Sequence, residues 1–428
     1  MTPIDFDIGI IHANELVTLD SKLGVPRKGA MMSNLASIKD GALGIKDGKI
    51  KFVGTSTNFI SQYELDNCKT VINAKNQLVT PGFVDPHTHI IFKGSRENEL
   101  GMKLAGKSYL EILESGGGII KSVRETRNAS IKELVENGKD ILNKMLYYGT
   151  TTIETKTGYG LSVEDEIKSL TAIQLLKKTH VIDIISTFMG AHAIPPEFKN
   201  NPDDYVKLII NQMLPQVSKQ KLADFCDVFC EKGIFSIEQS EQILRTAKKL
   251  GLKLQIHIDE IEDTNGAKLA AKLKVIQAGH LLKSNDEGLN AMAEAGVIAT
   301  LLPGTPFCLM LKEYAPARKM IDMGIPIALA TDLNPNCWTE SMQMIIILAC
   351  YMMKMNPAEA LIASTLNAAC AIDQHNRIGS LEVGKDADVN IFTIPNHHFL
   401  AYQFGVNLID KVIKKGNIVV ETKNLMKK

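Results

Sequence analysis

The sequence predicts an α/β chain in which eight parallel strands alternate with helices and close into a (β/α)8 barrel, beside a small β-domain built from both ends of the chain. Eight apolar runs of strand length recur between residues 78 and 332. Helical segments separate these runs, and turn-rich alternating segments occupy both ends. We expect residues 1–79 and 381–428 to form the β-domain and residues 80–380 to form the barrel.

The two ends of the chain are typical of short antiparallel strands. Asp47-Gly48 favours a tight hairpin turn, and Lys415-Gly416-Asn417 is a second hairpin signal near the C-terminus. Neither end has enough strands to be stable alone, so the sequence predicts that the two ends pair with each other.

The apolar runs between the two ends lack the polar alternation of a one-sided sheet, as expected of strands buried on both faces. They span residues 78–89, 149–158, 181–192, 225–233, 252–260, 274–280, 296–303 and 325–332.

Helix signals lie between several of these runs. Ser236 and Gln239 predict a capping box for a helix that Gly251 ends, and Ser284 predicts the start of a helix that Gly296 ends.

A doubly wound open sheet is the alternative fold, because it also alternates strands and helices. Against it, no GxGxxG or GxxxxGK[ST] motif follows a strand. The glycines of residues 115–122 predict a mobile loop instead, and residues 98–125 are the segment that we expect to close over a substrate.

Composition narrows the class of function. Lys+Arg and Asp+Glu balance at 48 each, which argues against nucleic acid and an anionic membrane as partners and favours a small-molecule substrate. Seven scattered cysteines without a CxxC pair indicate no disulfide framework, and a cytoplasmic location is expected. The N-terminus lacks the pattern of a secretory signal, and the most apolar stretch, residues 344–353, is about half of a membrane span.

Polar residues gather at the C-terminal ends of the predicted strands, where barrel enzymes place their active sites. His87 and His89 stand two residues apart, so both side chains lie on one face of a strand. Together with His257, His280 and Asp332 at other strand ends, they predict a metal site with nitrogen and oxygen ligands. Zinc is the first candidate, with iron, manganese and nickel as others.

The motif PGFVDPHTH on the first strand, with the later histidines and Asp332, resembles the amidohydrolase superfamily over nearly the whole chain. This resemblance implies a distorted TIM barrel with a β-sandwich assembled from both chain termini. It also implies that His87, His89, His257 and Asp332 hold one divalent or trivalent ion per chain, zinc first and iron second. The fourth strand has no lysine where binuclear members carry a bridging one, which implies a mononuclear site.

Seven ordered segments resemble, more narrowly, the imidazolone-hydrolysing family of histidine degradation: HTHIIFKGSRENE, ETKTGYGL, MGAHAIP, DVFCEKGIFS, HIDE, AGHL and ATDLNP. The implied reaction is hydrolysis of 4-imidazolone-5-propanoate to N-formimidoyl-L-glutamate by a homodimer. Two alternatives stay open: a nucleobase aminohydrolase, since HIDE also resembles cytosine-type deaminases, and a non-catalytic barrel that binds a partner.

Three residues are the predicted catalytic groups. Asp332 is expected to hold the metal and to accept a proton from water, and Glu260 to shuttle protons close to the metal. His280 is expected to polarise the substrate carbonyl or stabilise the oxyanion, with a role as a further metal ligand as the alternative.

Arg96, on the loop after the first strand, is expected to grip the substrate's carboxylate, as the resemblance implies. The family pattern usually has glycine after NP, whereas this chain has the bulkier Asn336-Cys337-Trp338, so the shape of that wall differs. The remaining predicted substrate contacts are Tyr159, His192, Glu260, Asn334, Asn336 and Cys337.

Overall fold

The structure is a computed structural model that describes residues 5–107, 111 and 116–422. Two eight-stranded sheets organise these residues, one mixed and one parallel. The strands, in chain order, are β1 (Phe6–Val17), β2 (Ser37–Lys46), β3 (Lys49–Thr55), β4 (Cys68–Asn73), β5 (Leu78–Pro81), β6 (Phe83–Thr88), β7 (Thr150–Lys156), β8 (Asp183–Ala191), β9 (Phe225–Cys230), β10 (Lys253–Ile258), β11 (Gln277–His280), β12 (Ile298–Leu301), β13 (Ile327–Leu329), β14 (Val389–Phe392), β15 (Ile409–Lys414) and β16 (Asn417–Glu421).

Most helices follow barrel strands. In chain order they are α1 (Ser56–Gln62), α2 (Glu97–Leu104), α3 (Gly118–Asn128), α4 (Ile131–Tyr147), α5 (Val163–Thr179), α6 (Pro202–Leu208), α7 (Leu214–Lys219), α8 (Ile237–Lys249), α9 (Gly266–Leu273), α10 (Asp286–Ala295), α11 (Gly304–Cys308), α12 (Ala317–Asp322), α13 (Met342–Met353), α14 (Pro357–Ala363), α15 (Leu366–Ala371) and α16 (Phe399–Tyr402). None of the helices in the described ranges is long and apolar enough to cross a membrane.

The mixed sheet confirms that the two ends of the chain pair. Its order is β16-β15-β14-β5-β1-β2-β3, with β4 also beside β1, so that β5 and β14 join the two ends. Asp47 and Gly48 both take positive φ, at 51° and 72°, as the turn of the β2–β3 hairpin requires. Apolar residues from both halves, including Ile45, Ile50 and Ile413, share one buried core, so the sheet folds over itself as a sandwich.

The parallel sheet runs in sequence order from β6 to β13 and confirms the eight predicted barrel strands. Its two outer strands meet through backbone hydrogen bonds just beyond their ends. The Asp332 amide donates to the His87 carbonyl at 3.1 Å, and the His89 amide donates to the Leu333 carbonyl at 2.8 Å. These two bonds lie at the closing seam of the barrel.

The predicted first run, residues 78–89, is wrong as a single strand. It forms β5 in the mixed sheet and β6 in the barrel, with Gly82 between them. The Gly82 amide donates to Asp388 of the terminal sheet region, whereas the next amide, of Phe83, donates to Gly149 at the start of the barrel's second strand. A Cβ at Gly82 would lie 2.4 Å from the Thr151 hydroxyl, so only glycine fits this change of sheet.

Two helix starts test the capping predictions. Ser236 and Gln239 form the predicted capping box of α8. The predicted cap Ser284 is wrong by one residue, because Asn285 caps α10 by accepting from the Gly288 amide. The Ser284 hydroxyl instead donates to Asp259 at 2.6 Å.

The predicted mobile loop at 115–122 is wrong for residues 118–122, which begin α3. The reason is that the Glu99 carboxylate accepts a hydrogen bond from the Gly118 amide at 2.7 Å and so satisfies a free N–H at the helix start. The predicted lid, residues 98–125, includes residues 108–110 and 112–115, which lie outside the described residues.

Candidate metal centre and active site

Four predicted ligands, three of them beside the closing seam, point their polar atoms at one place inside the barrel mouth. His87 Nε2 lies 2.9 Å from His257 Nε2, which lies 3.4 Å from His89 Nε2. Asp332 Oδ1 lies 3.7 Å from the first of these nitrogens and 3.5 Å from His89 Nε2. All four residues are buried, so nitrogens and a carboxylate oxygen from three strand ends converge where water has little access.

The orientation of His257 is set by a carboxylate on the neighbouring strand β9. Its Nδ1–H donates to Asp227 Oδ1 at 3.0 Å, which leaves the Nε2 lone pair facing the cluster. The Lys156 ammonium lies 3.4 Å from the other Asp227 oxygen and 2.6 Å from Glu154. The sequence prediction assigned no role to Asp227; its signal was a single carboxylate within the apolar run FCDVFC.

The electrostatics of the cluster favour neutral imidazoles. Burial, followed by the positive charge of Lys156, lowers the pKa of His87 well below its ordinary value. Burial also lowers the pKa values of His89 and His280 well below normal. Neutral imidazoles are the form that binds metal, and a set of imidazole nitrogens with one carboxylate oxygen fits a divalent cation.

The loops after β9 and β10 each bring a carboxyl group, of Glu231 and Glu260, to the region of the cluster. Glu260 Oε2 lies 3.6 Å from His280 Nε2, and its backbone amide donates to Glu231 at 3.1 Å. Burial and the negative charges of Asp332 and Glu231 raise the pKa of Glu260 to about 8.

The position of His280 is compatible with both of its predicted roles, as a further metal ligand and as a group that faces the substrate carbonyl. Its ligand nitrogen lies within 4.8 Å of those of His87 and His257, which suits a further ligand. Its contact with Glu260 equally suits a group that faces the substrate. In either role its buried Nδ1 has no hydrogen-bond partner among the described residues.

Asp332 is held in place by Thr305, which was missing from the sequence prediction. The Thr305 hydroxyl donates to Asp332 Oδ2 at 2.5 Å, while Oδ1 faces the histidines. Asp332 adopts a left-handed backbone, with φ of 51°, a conformation that costs energy outside glycine and that clusters at functional sites.

Arg96, on the loop after the first barrel strand, has part of its guanidinium already engaged. Its Nε and one Nη donate to Glu99 Oε2 at 3.0 and 2.9 Å, while the other Glu99 oxygen binds the Gly118 amide. The arginine is largely buried and lines a cavity of about 690 Å³ together with Lys103 and Asn336. The sequence prediction assigned no individual role to Glu99 or Lys103.

Tyr159 and His192 join the cluster from the second and third strand ends. The His192 ring stacks on His89 with centroids 5.0 Å apart, and its Nδ1–H donates to the Gly158 carbonyl at 3.0 Å. Burial lowers the pKa of His192 to about 3. The buried Tyr159 ring packs edge-on against His192.

The three predicted contacts after the eighth strand differ in what they offer a ligand. Asn334 folds its own loop, donating to the Asp332 carbonyl at 2.8 Å and accepting from the Asn336 and Cys337 amides. Asn336 lines the cavity and accepts from Lys103 Nζ at 2.7 Å. Cys337 is buried behind the loop, 3.6 Å from the Thr331 carbonyl.

Comparison with known proteins gives a consistent result. The model of the Amidohydrolase family matches residues 78–419. The chain is 50% identical to an imidazolonepropionase of Alkaliphilus metalliredigens, over 97% of this chain and 98% of that relative. It is 47% identical to an imidazolonepropionase of Alkaliphilus oremlandii, over 99% of this chain and 100% of that relative. A solved adenosine deaminase from Xanthomonas campestris with bound zinc shares the fold, with a TM-score of 0.70 at 18% identity over 99% of this chain and 97% of that one.

Proposed function

The chain belongs to the amidohydrolase family and is a hydrolase of its imidazolonepropionase group, and on that premise we propose that it hydrolyses 4-imidazolone-5-propanoate to N-formimidoyl-L-glutamate. One observation supports this proposal above the others: imidazoles and a carboxylate converge at the barrel mouth, and α11, which holds Asp332 through Thr305, also lines the cavity that contains Arg96. Such a site suits a small cyclic amide that carries a carboxylate.

The family and the cluster indicate a divalent metal. We assign its ligands as His87, His89, His257 and Asp332, and its identity as zinc, with one ion per chain. Three imidazole nitrogens and one carboxylate oxygen are a donor set that zinc accepts. When bound, the ion supplies Lewis acidity, which lowers the pKa of water and polarises a carbonyl group.

Asp332 and His280 serve the attack of water on the ring carbonyl carbon. Asp332 Oδ1, turned toward the cluster by the Thr305 hydrogen bond, accepts the proton that the water loses. His280 is neutral because its pKa is far below normal, so its N–H donates to the oxyanion that develops on the carbonyl oxygen.

Glu260 serves the second half of the reaction. Its raised pKa, about 8, keeps its carboxyl group protonated at neutral pH. It donates that proton to the ring nitrogen as the C–N bond breaks, which converts the nitrogen into a neutral leaving group.

Arg96 supplies the substrate anchor. Glu99 engages the Nε side of its guanidinium, so the terminal N–H groups on the opposite side remain for the propanoate carboxylate. Tyr159, His192 and the Asn334–Cys337 loop form the surrounding walls of the site.

We extend the proposal to a cytoplasmic homodimer. The seven cysteines are all free, which suits a reducing compartment. The dimer rests on the family resemblance alone, and light scattering on the purified protein measures it directly: a monomer mass would contradict it.

The direct test supplies freshly generated 4-imidazolone-5-propanoate and follows the loss of its ultraviolet absorbance. We expect turnover in the metal-loaded protein, loss of turnover with a chelator, and recovery when zinc is returned. Ammonia release from cytosine or guanine, without loss of imidazolone absorbance, would replace this proposal with the aminohydrolase alternative.

A further inference from the structure

We propose that Cys308 and Cys337 are a dithiol that hydrogen peroxide oxidises to a disulfide, and that this disulfide switches off the adjacent site. Formation of the disulfide is independent of the proposed function, whereas its effect on turnover rests on that function. Two different barrel loops bring these side chains together beside the cavity, which Cys308 lines.

The two thiols lie on neighbouring loops at the barrel mouth. Cys308 ends α11, after the seventh barrel strand, and Cys337 lies in the loop after the eighth. The Cys337 sulfur faces α11, because a Cβ at Gly304, one helical turn before Cys308, would lie 3.0 Å from it. Asn336, beside Cys337, donates to the Cys308 sulfur at 3.7 Å, which ties the second loop to the first.

The two sulfurs differ in access to solvent. Cys308 is only partly buried and lines the 690 Å³ cavity, so a small oxidant reaches it from the mouth of the barrel. Cys337 is buried, with only 2% of its surface exposed. An accessible thiol with a buried partner is the arrangement of a reacting cysteine and a resolving cysteine.

The electrostatics agree with this division of roles. The neighbouring Cys337 side chain and the positive charges of Lys103 and Arg96 lower the pKa of Cys308, against the opposing effects of burial and of the negative charge of Asp332. The neighbouring Cys308 side chain, followed by burial, raises the pKa of Cys337 well above normal. Thiolate character therefore concentrates on the accessible sulfur.

The oxidation balances in two steps. The Cys308 thiolate attacks one oxygen of hydrogen peroxide, the O–O bond breaks, and a sulfenic acid and one hydroxide form, the latter taking a proton to become water. The Cys337 sulfur then attacks the sulfenic sulfur, the S–O bond breaks, and the thiol proton leaves with the hydroxyl group as a second water. One peroxide is thus reduced to two waters while two thiols are oxidised, and a dithiol reductant reverses the change.

The disulfide reaches the catalytic carboxylate through α11. Thr305, one helical turn before Cys308, holds Asp332 through the 2.5 Å hydrogen bond. Closing the sulfur–sulfur contact to bonding distance pulls the end of α11 toward the Asn334–Cys337 loop. We expect kcat/KM to fall by about 10- to 100-fold, since small displacements of catalytic groups have effects of this size.

The test exposes the reduced, zinc-loaded protein to one equivalent of peroxide and then divides the sample. One half is alkylated and digested, and we expect a peptide pair joined through Cys308 and Cys337. The other half is assayed before and after dithiothreitol, and we expect the loss of turnover to reverse. Sulfinic acid at Cys308 without the joined pair would overturn the proposal.

Cys308→Ser is the decisive variant and Cys350→Ser the matched control, each judged by the ratio of its own oxidised to reduced activity. We expect the first ratio to be near one and the second to equal that of the unsubstituted protein. Equal inactivation of Cys308→Ser would overturn the switch, as would a joined pair with full activity. Failure of the reduced protein to open the imidazolone ring would contradict the proposed function and leave the peptide test standing.

Discussion

The two ends of the barrel collect charged residues in opposite ways. At the N-terminal end of β8, Asp183 accepts from Arg377, Lys414 and Lys415 at 2.7, 3.0 and 2.7 Å, and Lys414 also binds Asp388 at 2.6 Å. At the C-terminal ends of the strands, histidines and carboxylates crowd together, and some buried nitrogens, such as His89 Nδ1, have no hydrogen-bond partner within the part of the chain that the structure describes.

This difference indicates that the charged residues at the N-terminal ends of the strands stabilise the fold, whereas those at the C-terminal ends serve the chemistry of the site. The network around Asp183 joins the barrel to the terminal sheet, and each charge there has an opposite charge within hydrogen-bond distance. The ligand cluster instead displaces the pKa values of its members from normal and holds Asp332 in a strained backbone. In barrel enzymes the first pattern is typical of the stabilising face and the second of the active face.

The largest expected effect is at the active face. Asp332→Asn removes a metal ligand and the proton acceptor, so we expect kcat/KM to fall by at least about 1,000-fold. Metal content per chain, measured by elemental analysis, should fall with it. Asp183→Asn, at the opposite end of the barrel, should leave both the metal content and the activity of the protein unchanged. Equal losses in the two variants would contradict the assignment of different roles to the two ends.

Lys414→Met tests the stabilising face. The lysine is buried, so its removal leaves the buried carboxylate of Asp388 without its ion-pair partner and takes one of three cations from Asp183; it should lower the free energy of unfolding by about 3 kcal/mol in urea titrations. Lys415→Met is the matched control, because Lys415 binds the same Asp183 from an exposed position and should cost about 1 kcal/mol or less. A decrease in kcat of Lys414→Met without a decrease in its stability would contradict a stabilising role for this end of the barrel.

Arg96→Gln tests the substrate anchor. Loss of the charged hydrogen bonds to the propanoate should raise KM by about 10- to 100-fold, with a smaller change in kcat. Steady-state kinetics at saturating zinc give both constants, and Arg124→Gln, an exposed arginine on α3, is the control. An unchanged KM would contradict the anchor.

Asp227→Asn tests the hydrogen bond that orients His257. We expect metal affinity to weaken by about 10- to 100-fold, measured by competition with a chromophoric chelator. Asp224→Asn, on the same segment but at the far end of the barrel strand, should leave affinity unchanged. Equal affinities in the two variants would mean that Asp227 serves stability alone.

The smallest effect is a pH dependence of stability. Burial opposes ionisation of Asp183, but the charges of Lys414, Lys415 and Arg377 outweigh it and lower the pKa of Asp183 below its ordinary value. Its contribution is therefore complete above the unfolded pKa and is lost as pH falls through and below that value, at up to about 1.4 kcal/mol per pH unit. Burial, with a smaller contribution from the negative charge of Asp183, raises the pKa of the neighbouring Asp388. The slope of the unsubstituted protein minus that of Asp183→Asn therefore measures Asp183 together with its effect on Asp388.

Much of the fold was predictable because it depends on local patterns. Apolar runs predicted the barrel strands, and the Asp47-Gly48 turn predicted a hairpin, since period and turn chemistry act within a few residues. The prediction of a single strand at 78–89 was wrong because the amides of Gly82 and of the next residue donate to two different sheets. The acceptors lie far away in the sequence, so no local pattern indicates the change. The cap at Ser284 failed because its hydroxyl was drawn to Asp259.

The candidate site divides in the same way. His87 and His89 were identifiable from their spacing, and His257 and Asp332 from their places at strand ends. The residues that orient these ligands, Asp227 and Thr305, could not be identified from the sequence. Each acts on a partner that is distant in the chain and comes near only when the barrel closes. The role of Glu99 was not predictable either, since only the structure shows that its carboxylate accepts hydrogen bonds from both Arg96 and the first residue of α3.

The closing seam of the barrel has a consequence for the order of events during synthesis. His87 and His89 emerge early, but Asp332 and the backbone bonds that complete the ring are made only after most of the chain has left the ribosome. Contacts of such long sequence separation form slowly, because the intervening loop must first be closed. A full set of ligands therefore exists only in a finished barrel, and a shortened chain that lacks its last barrel strand has three of the four and no ring to hold them.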